Sequence, residues 1–147
     1  MERIVRGTVR AGNGHGTQAT AHGWFRKAVE ERYGFVPELG TLNVQVAEEI
    51  QSRLVLLEEL LGKGTVLVPP SRAICCSILR RVRLGCVSSR QDGLVVRPLV
   101  EGYDPYKVEI VAPVHLRTTL GLADGQEVLL RFDVPEPRGR WTLADKP

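Results

Sequence analysis

TVLV (65–68), AICCSIL (73–79), RVRLGCVS (81–88), GLVVR (93–97), KVEIV (107–111) and EVLLRFD (127–133) follow one another through the second half of the chain. Each run is short, and most are rich in β-branched or bulky apolar residues. Turn signals stand between them at Pro69–Pro70, Gly85, Gln91–Asp92–Gly93 and Pro105. That pattern predicts strands. RIVRGTVR (3–10) adds another, alternating apolar and basic residues around Gly7. TLNVQV (41–46) adds one more, with Leu42, Val44 and Val46 on one face and Thr41, Asn43 and Gln45 on the other. Many short strands with few helices point to a β barrel rather than a βαβ sheet.

Helical spacing is confined to three places. Residues 21–32 put Trp24, Phe25, Ala28 and Val29 on one stripe, and Gly34 follows as a C-terminal cap. Residues 47–62 place Ile50, Leu54, Leu57 and Leu61 on one face and glutamates elsewhere. Residues 113–122 predict a short helix with Pro113 in its first turn. The barrel is expected over residues 1–134, with a proline- and charge-rich tail over 135–147.

Composition bounds the function classes. At 147 residues the chain is the size of one domain and needs neither disulfides nor metal to bury a core. Lys plus Arg is 20 and Asp plus Glu is 17, a net charge of +3 spread along the chain without a basic arm. One local excess exists: Arg72, Arg80, Arg81, Arg83, Arg90 and Arg97 are opposed only by Asp92. No window approaches a membrane span, and the start MERIVRG has no apolar core of a secretory signal. Cys75, Cys76 and Cys86 form neither an even disulfide set nor a zinc spacing, so a reducing, cytoplasmic setting is expected.

Three segments offer chemistry. AGNGHGTQAT (11–20) alternates Gly12, Gly14 and Gly16 ahead of a helix, so backbone N–H groups can approach an anion closely. An ordinary turn reads the same way, and neither the dinucleotide nor the Walker pattern is complete. Thr41 and Asn43 share a strand face and offer two neutral oxygens, a weak Mg²⁺ pair unless phosphates complete the shell; a plain polar face is the alternative. In VEIVAPVHLR (108–117), Glu109 interrupts an apolar strand, and His115 and Arg117 sit near a helix start. Glu109 is either an acceptor for a ligand or an outward charge. No Ser–His–Asp arrangement is present in a recognisable motif.

Taken in order, the glycine loop, the aromatic-rich helix, GFVPELGTLNVQV (34–46), VVRP (95–98) and VEIVAPVHLRTTLGLADGQEV (108–128) resemble the archaeal-type CTP-dependent riboflavin kinases. The likeness runs from about residue 5 to 132, with GTLNV and VEIVAPVHLR its specific parts. It implies a compact, mainly β, six-stranded cradle-loop barrel with a few short helices. It also implies transfer of the γ-phosphoryl of CTP to the 5′-hydroxyl of riboflavin, giving FMN and CDP, with Mg²⁺. By that resemblance Gly12, Asn13, Gly14, His15, Gly16 and Thr17 cradle the nucleotide, and Val114, His115, Leu116 and Arg117 surround the cytosine. Thr41 and Asn43 hold the metal, and Glu109 meets the flavin and is the candidate catalytic group. Where the family carries a flavin-contacting threonine after VVRP, this chain reads RPLVEGY (97–103) and places Glu101 there, behind Leu99 and Val100.

The expected partners are therefore CTP and riboflavin, for a monomer that engages neither membrane nor nucleic acid. Two other readings compete. Glu101 motivates a non-catalytic flavin- or nucleotide-binding module on the same scaffold, and the Arg72–Arg97 excess a DNA-binding barrel.

Overall fold

The computed structural model describes residues 3–12, 20–46, 51–86, 89–133 and 140–142. Among these residues eight strands form one sheet: β1 (Ile4–Arg10), β2 (Leu42–Gln45), β3 (Thr65–Val68), β4 (Ser77–Cys86), β5 (Ser89–Pro98), β6 (Lys107–Val111), β7 (Glu127–Arg131) and β8 (Arg140–Thr142). Among the described residues three helices accompany them: α1 (Gly23–Tyr33), α2 (Gln51–Leu61) and α3 (Leu116–Leu120).

The pairings β1–β2, β2–β6, β6–β5, β5–β4, β4–β7 and β7–β1 are all antiparallel and close on themselves. Six strands thus make a ring, which removes their free edges. The six-stranded barrel expected from the sequence is present. Outside the ring, β3 pairs with the first half of β4, and β8 lies parallel to β3.

Strand alternation builds two apolar layers. Val5, Val9, Leu42, Val44, Val82, Leu84, Val95, Val108, Ile110, Val128 and Leu130 point inward and form the barrel core. Leu57, Leu60 and Leu61 of α2 and Leu116 and Leu120 of α3 complete it. Arg97 of β5 reaches Glu58 on α2, whereas Cys86, at the far end of β4, reaches Leu120 in α3. The two helices therefore close opposite ends of the barrel. A second layer lies outside the wall, where Phe25, Ala28 and Val29 of α1 cover Leu67, Leu79, Leu94 and Val111. Gly34 ends α1 at φ 82°, its N–H bonded to the Glu30 carbonyl, as a left-handed cap requires.

Several boundaries depart from the sequence reading. Of the runs expected as separate strands at 73–79 and 81–88, Ser77–Cys86 form one strand, β4, residues 73–76 lie outside it, residues 87 and 88 lie outside the described residues, and β5 begins at Ser89. Gly85, Asp92 and Gly93 read as turn residues but lie inside a long hairpin, because ten cross-strand pairs outweigh their weak strand propensity. α2 buries Leu57, Leu60 and Leu61, while Leu54 is half-buried; Ile50 lies outside the described residues. Pro113 does not open α3. The helix starts at Leu116 with His115 as its N-cap, since the chain is still leaving β6 at Pro113. Among the described residues no helix is long and apolar enough to cross a membrane.

Candidate functional site

β2 and β6 run side by side, and their register sets Asn43 directly opposite Glu109. Both face outward, because Leu42, Val44, Val108 and Ile110 take the inward positions. Thr41, two residues before Asn43, shares that face and donates its hydroxyl to Glu109 Oε1 at 3.1 Å. Tyr103 donates to Glu109 Oε2 at 2.5 Å. Both carboxylate oxygens are thus held by neutral hydroxyls, which fixes the side chain without neutralising it. Burial first, and then the bond to Glu109 and its charge, push the Tyr103 phenol well above its usual range.

The consequence for Thr41 and Asn43 is an excess of acceptors. Thr41 has given its single hydrogen away, so its oxygen lone pairs stay available. Asn43 is 9% exposed, and its Oδ1 is buried without a hydrogen-bond partner among the described residues. A buried polar atom left unpaired is costly and rare. Gly12 sits against the same side chain: a Cβ there would lie 2.3 Å from Asn43 Nδ2.

A cleft of about 250 Å³ opens over this pair. Its walls are Gly12, the 38–43 segment, and the 114–117 segment that leads into α3. Gly40, at φ 88°, turns the chain into β2 and donates its N–H to Thr20 Oγ1 at 2.7 Å. Glu38 N–H bonds to the Ala112 carbonyl at 2.8 Å, tying the two walls together. His115 caps α3, its Nδ1 accepting from the Thr118 N–H and lying 2.8 Å from Thr118 Oγ1. Arg117 is anchored through Nη2 to Asp124 at 2.6 Å and to the Arg10 carbonyl at 3.1 Å. The LADG turn therefore holds the arginine of the HLR segment in place.

The structure brings Gly12, Thr41, Asn43, Val114, His115, Leu116 and Arg117 into one cleft, from three distant parts of the chain. Asn13, Gly14, His15, Gly16 and Thr17 lie outside the described residues. Glu109 stands beside Thr41 and Asn43 on the neighbouring strand and is not part of the cleft lining. Glu101 lies apart from the cleft. It is exposed and lines a second hollow of about 340 Å³ with Leu99, Val100 and Tyr103. Tyr103 was missed by the sequence reading, although it is the link between that hollow and Glu109. Its signal was slight: one of two tyrosines in a polar turn, EGYDPY (101–106). Among the described residues no three His, Cys, Asp or Glu side chains gather as a metal cluster.

The arginine excess does not form one surface. Arg80 is buried and donates to the Phe132 carbonyl, Arg97 is buried against Glu58 and the Pro105 carbonyl, and Arg81 lies over the Tyr33 ring. Cys75, Cys76 and Cys86 are free thiols.

Fold and cleft together define a small closed β barrel that presents neutral oxygens and backbone groups at one end. The family model of CTP-dependent riboflavin kinases, which carries the description "Domain of unknown function DUF120", matches residues 9–132. The chain belongs to this family. It is 30% identical over 128 residues to a riboflavin kinase of Methanocella arvoryzae, covering 85% of this chain and 55% of that protein. It is 32% identical over 136 residues to a riboflavin kinase of Ignicoccus hospitalis, covering 84% and 68%. It is 30% identical over 133 residues to a riboflavin kinase of Methanothermobacter thermautotrophicus, covering 87% and 98%. The chain thus spans about half the length of the first relative and nearly all of the last.

Proposed function

We propose that this chain is a riboflavin kinase that transfers the γ-phosphoryl of CTP to the 5′-hydroxyl of riboflavin, releasing FMN and CDP. The observation that carries the reading is the acceptor pair in the cleft: Thr41 Oγ1, whose hydroxyl hydrogen is directed to Glu109, and Asn43 Oδ1, buried and without a partner among the described residues. A hard cation with few protein ligands fits that pair when substrate phosphates fill its remaining positions. Mg²⁺ bound there would supply neutralisation of charge on the transferring phosphoryl group. Thr41 and Asn43 are its proposed ligands.

The chain's own residues supply position. Phosphoryl transfer asks mainly for alignment and charge balance, so a site without a nucleophile is no obstacle. Gly12 is followed in sequence by Asn13, Gly14, His15, Gly16 and Thr17, proposed to cradle the phosphates. The backbone of Val114, His115, Leu116 and Arg117, rigidified by the His115 cap and the Arg117–Asp124 pair, is proposed to read the cytosine edge. Glu109, oriented by two hydroxyl donors, keeps free lone pairs with which to accept the proton of the ribityl hydroxyl. Glu101, at the second hollow, is proposed to contact flavin.

The test is direct. Riboflavin, Mg²⁺ and either CTP or ATP are incubated with the protein and FMN is measured. FMN with CTP supports the proposal; no product with any nucleoside triphosphate refutes it, and retained flavin binding without turnover would make the chain a binding module.

A further inference from the structure

On the outer wall of β1, β7, β4 and β5, away from the cleft, the register lays two rows of side chains across the sheet. One row is Arg131–Arg83–Asp92; the next is Arg6–Leu129–Gly85–Arg90. Four arginines therefore surround Gly85, and a groove of about 510 Å³ opens over it. Arg6 pairs with Glu127 at 2.9 Å and Arg83 with Asp92 at 2.7 Å, and the exposed Asp133 adds a weaker pull on Arg83. Arg90 and Arg131 have no hydrogen-bond or ion-pair partner among the described residues. Arg131 is half-buried and sits directly opposite Arg83, an arrangement of like charges that weakens a sheet.

Gly85 sharpens the point. A glycine inside a strand weakens it and often marks a close approach by a ligand. Here neither backbone nor crowding demands one: Gly85 is not among the glycines of positive φ, and an added Cβ would meet nothing nearer than the Ser89 carbonyl oxygen at 3.8 Å. Its effect is to leave the groove floor open between the guanidiniums of Arg90 and Arg131.

We propose that this groove is a second anion site that holds a phosphate dianion, free or as the head of a small ester, over Gly85 between Arg90 and Arg131. Guanidinium forks match phosphate oxygens in pairs, and two of them balance a dianion. A nucleic acid fits less well, because Arg80, Arg81 and Arg97, the other arginines of β4 and β5, are engaged elsewhere.

The experiment is an amide-resolved NMR titration of the whole chain, without divalent metal, with inorganic phosphate and separately with glycerol 3-phosphate. Saturable shifts centred on Gly85, Arg90, Leu129 and Arg131 are expected. Tighter binding of the ester assigns an ester, and equal affinity assigns free phosphate. Arg131→Gln is expected to weaken binding about tenfold, the loss of one charge-assisted contact. Arg90→Gln, on the exposed hairpin, repeats the test should Arg131→Gln fold poorly. Gly85→Val is expected to abolish binding by filling the groove, with thermal stability retained and FMN formation unchanged. Shifts confined to Gly12, the 40–43 segment and the 114–117 segment, absence of saturation, or undiminished binding in Gly85→Val would overturn the proposal.

Discussion

Glu109 and Val111 lie two residues apart on the same outer face of β6, yet they live in opposite environments. Val111 is buried beneath α1, in an apolar layer with Phe25, Val29 and Leu94. Glu109 lies beyond that cover and is held by Thr41 and Tyr103 instead. The helix covers one part of the barrel wall and leaves the neighbouring part bare. Where it covers, the wall is built for stability; where it does not, polar groups are kept in place at some cost. Substitutions on the two sides should therefore separate, one set changing folding and the other changing turnover.

The sharpest break is expected from Asn43→Ala. Removing the unpaired Oδ1 takes away a proposed metal ligand worth several kcal/mol of charge stabilisation, so turnover should fall at least about 100-fold. Thermal unfolding should shift little, since that oxygen makes no hydrogen bond among the described residues. Near-normal FMN formation by this variant would remove Asn43 from the site. Gly12→Val attacks the same side chain from the other direction. The new Cβ arrives within 2.3 Å of Asn43 Nδ2, so one of the two must move. A loss of about tenfold or more in turnover is expected, given how steeply positioning errors of ~1 Å cost rate. Unchanged turnover would mean that the Gly12–Asn43 contact does not set the site.

On the covered side, Phe25→Ala should cost about 3–5 kcal/mol of stability, because it empties a large buried side chain from the α1 layer. Chemical denaturation measures it. The folded fraction should retain its kcat and its affinity for nucleotide. Loss of turnover in the folded fraction would show that α1 supports the cleft as well as the wall.

The division between these two sides was only half legible in the sequence. Strand alternation in TLNVQV and KVEIV is a local property, so the inward residues Leu42, Val44, Val108 and Ile110 could be read directly. The acceptor pair was legible for the same reason, since residues two apart must share a face. That Asn43 stands opposite Glu109 was not, because register between β2 and β6 depends on how the long stretch between them is placed. Gly85, Asp92 and Gly93 misled for a related reason: local propensity marks them as turns, and only the ten-pair hairpin overrides it. His115 looked like a ligand and is also a helix cap, a role fixed by where β6 ends. Tyr103 carries no pattern at all; its hydrogen bond to Glu109 exists only once the 99–106 turn is placed.

Tyr103→Phe is the mildest test and the most particular. It deletes one of the two donors to Glu109 while keeping the ring, so folding at neutral pH should change by about 1 kcal/mol or less, the net worth of one hydrogen bond. Turnover should fall a few-fold, carried by kcat if Glu109 acts on the reacting hydroxyl and by KM if it only binds flavin. The pH dependence gives an independent reading. The native phenol is held above its unfolded value of 10.0, so as pH rises past 10 the unfolded chain loses the proton while the folded chain keeps it. The unfolded state then binds fewer protons, and stability falls with pH. Wild-type protein should therefore lose stability progressively above pH 10, whereas the phenylalanine variant, with no proton to keep, should lose less over the same range. Denaturation midpoints measured at neutral and alkaline pH decide it: equal slopes for the two proteins would mean that Tyr103 is not clamped to Glu109, and the outer face of β6 would then lack the polar brace that distinguishes it from the wall beneath α1.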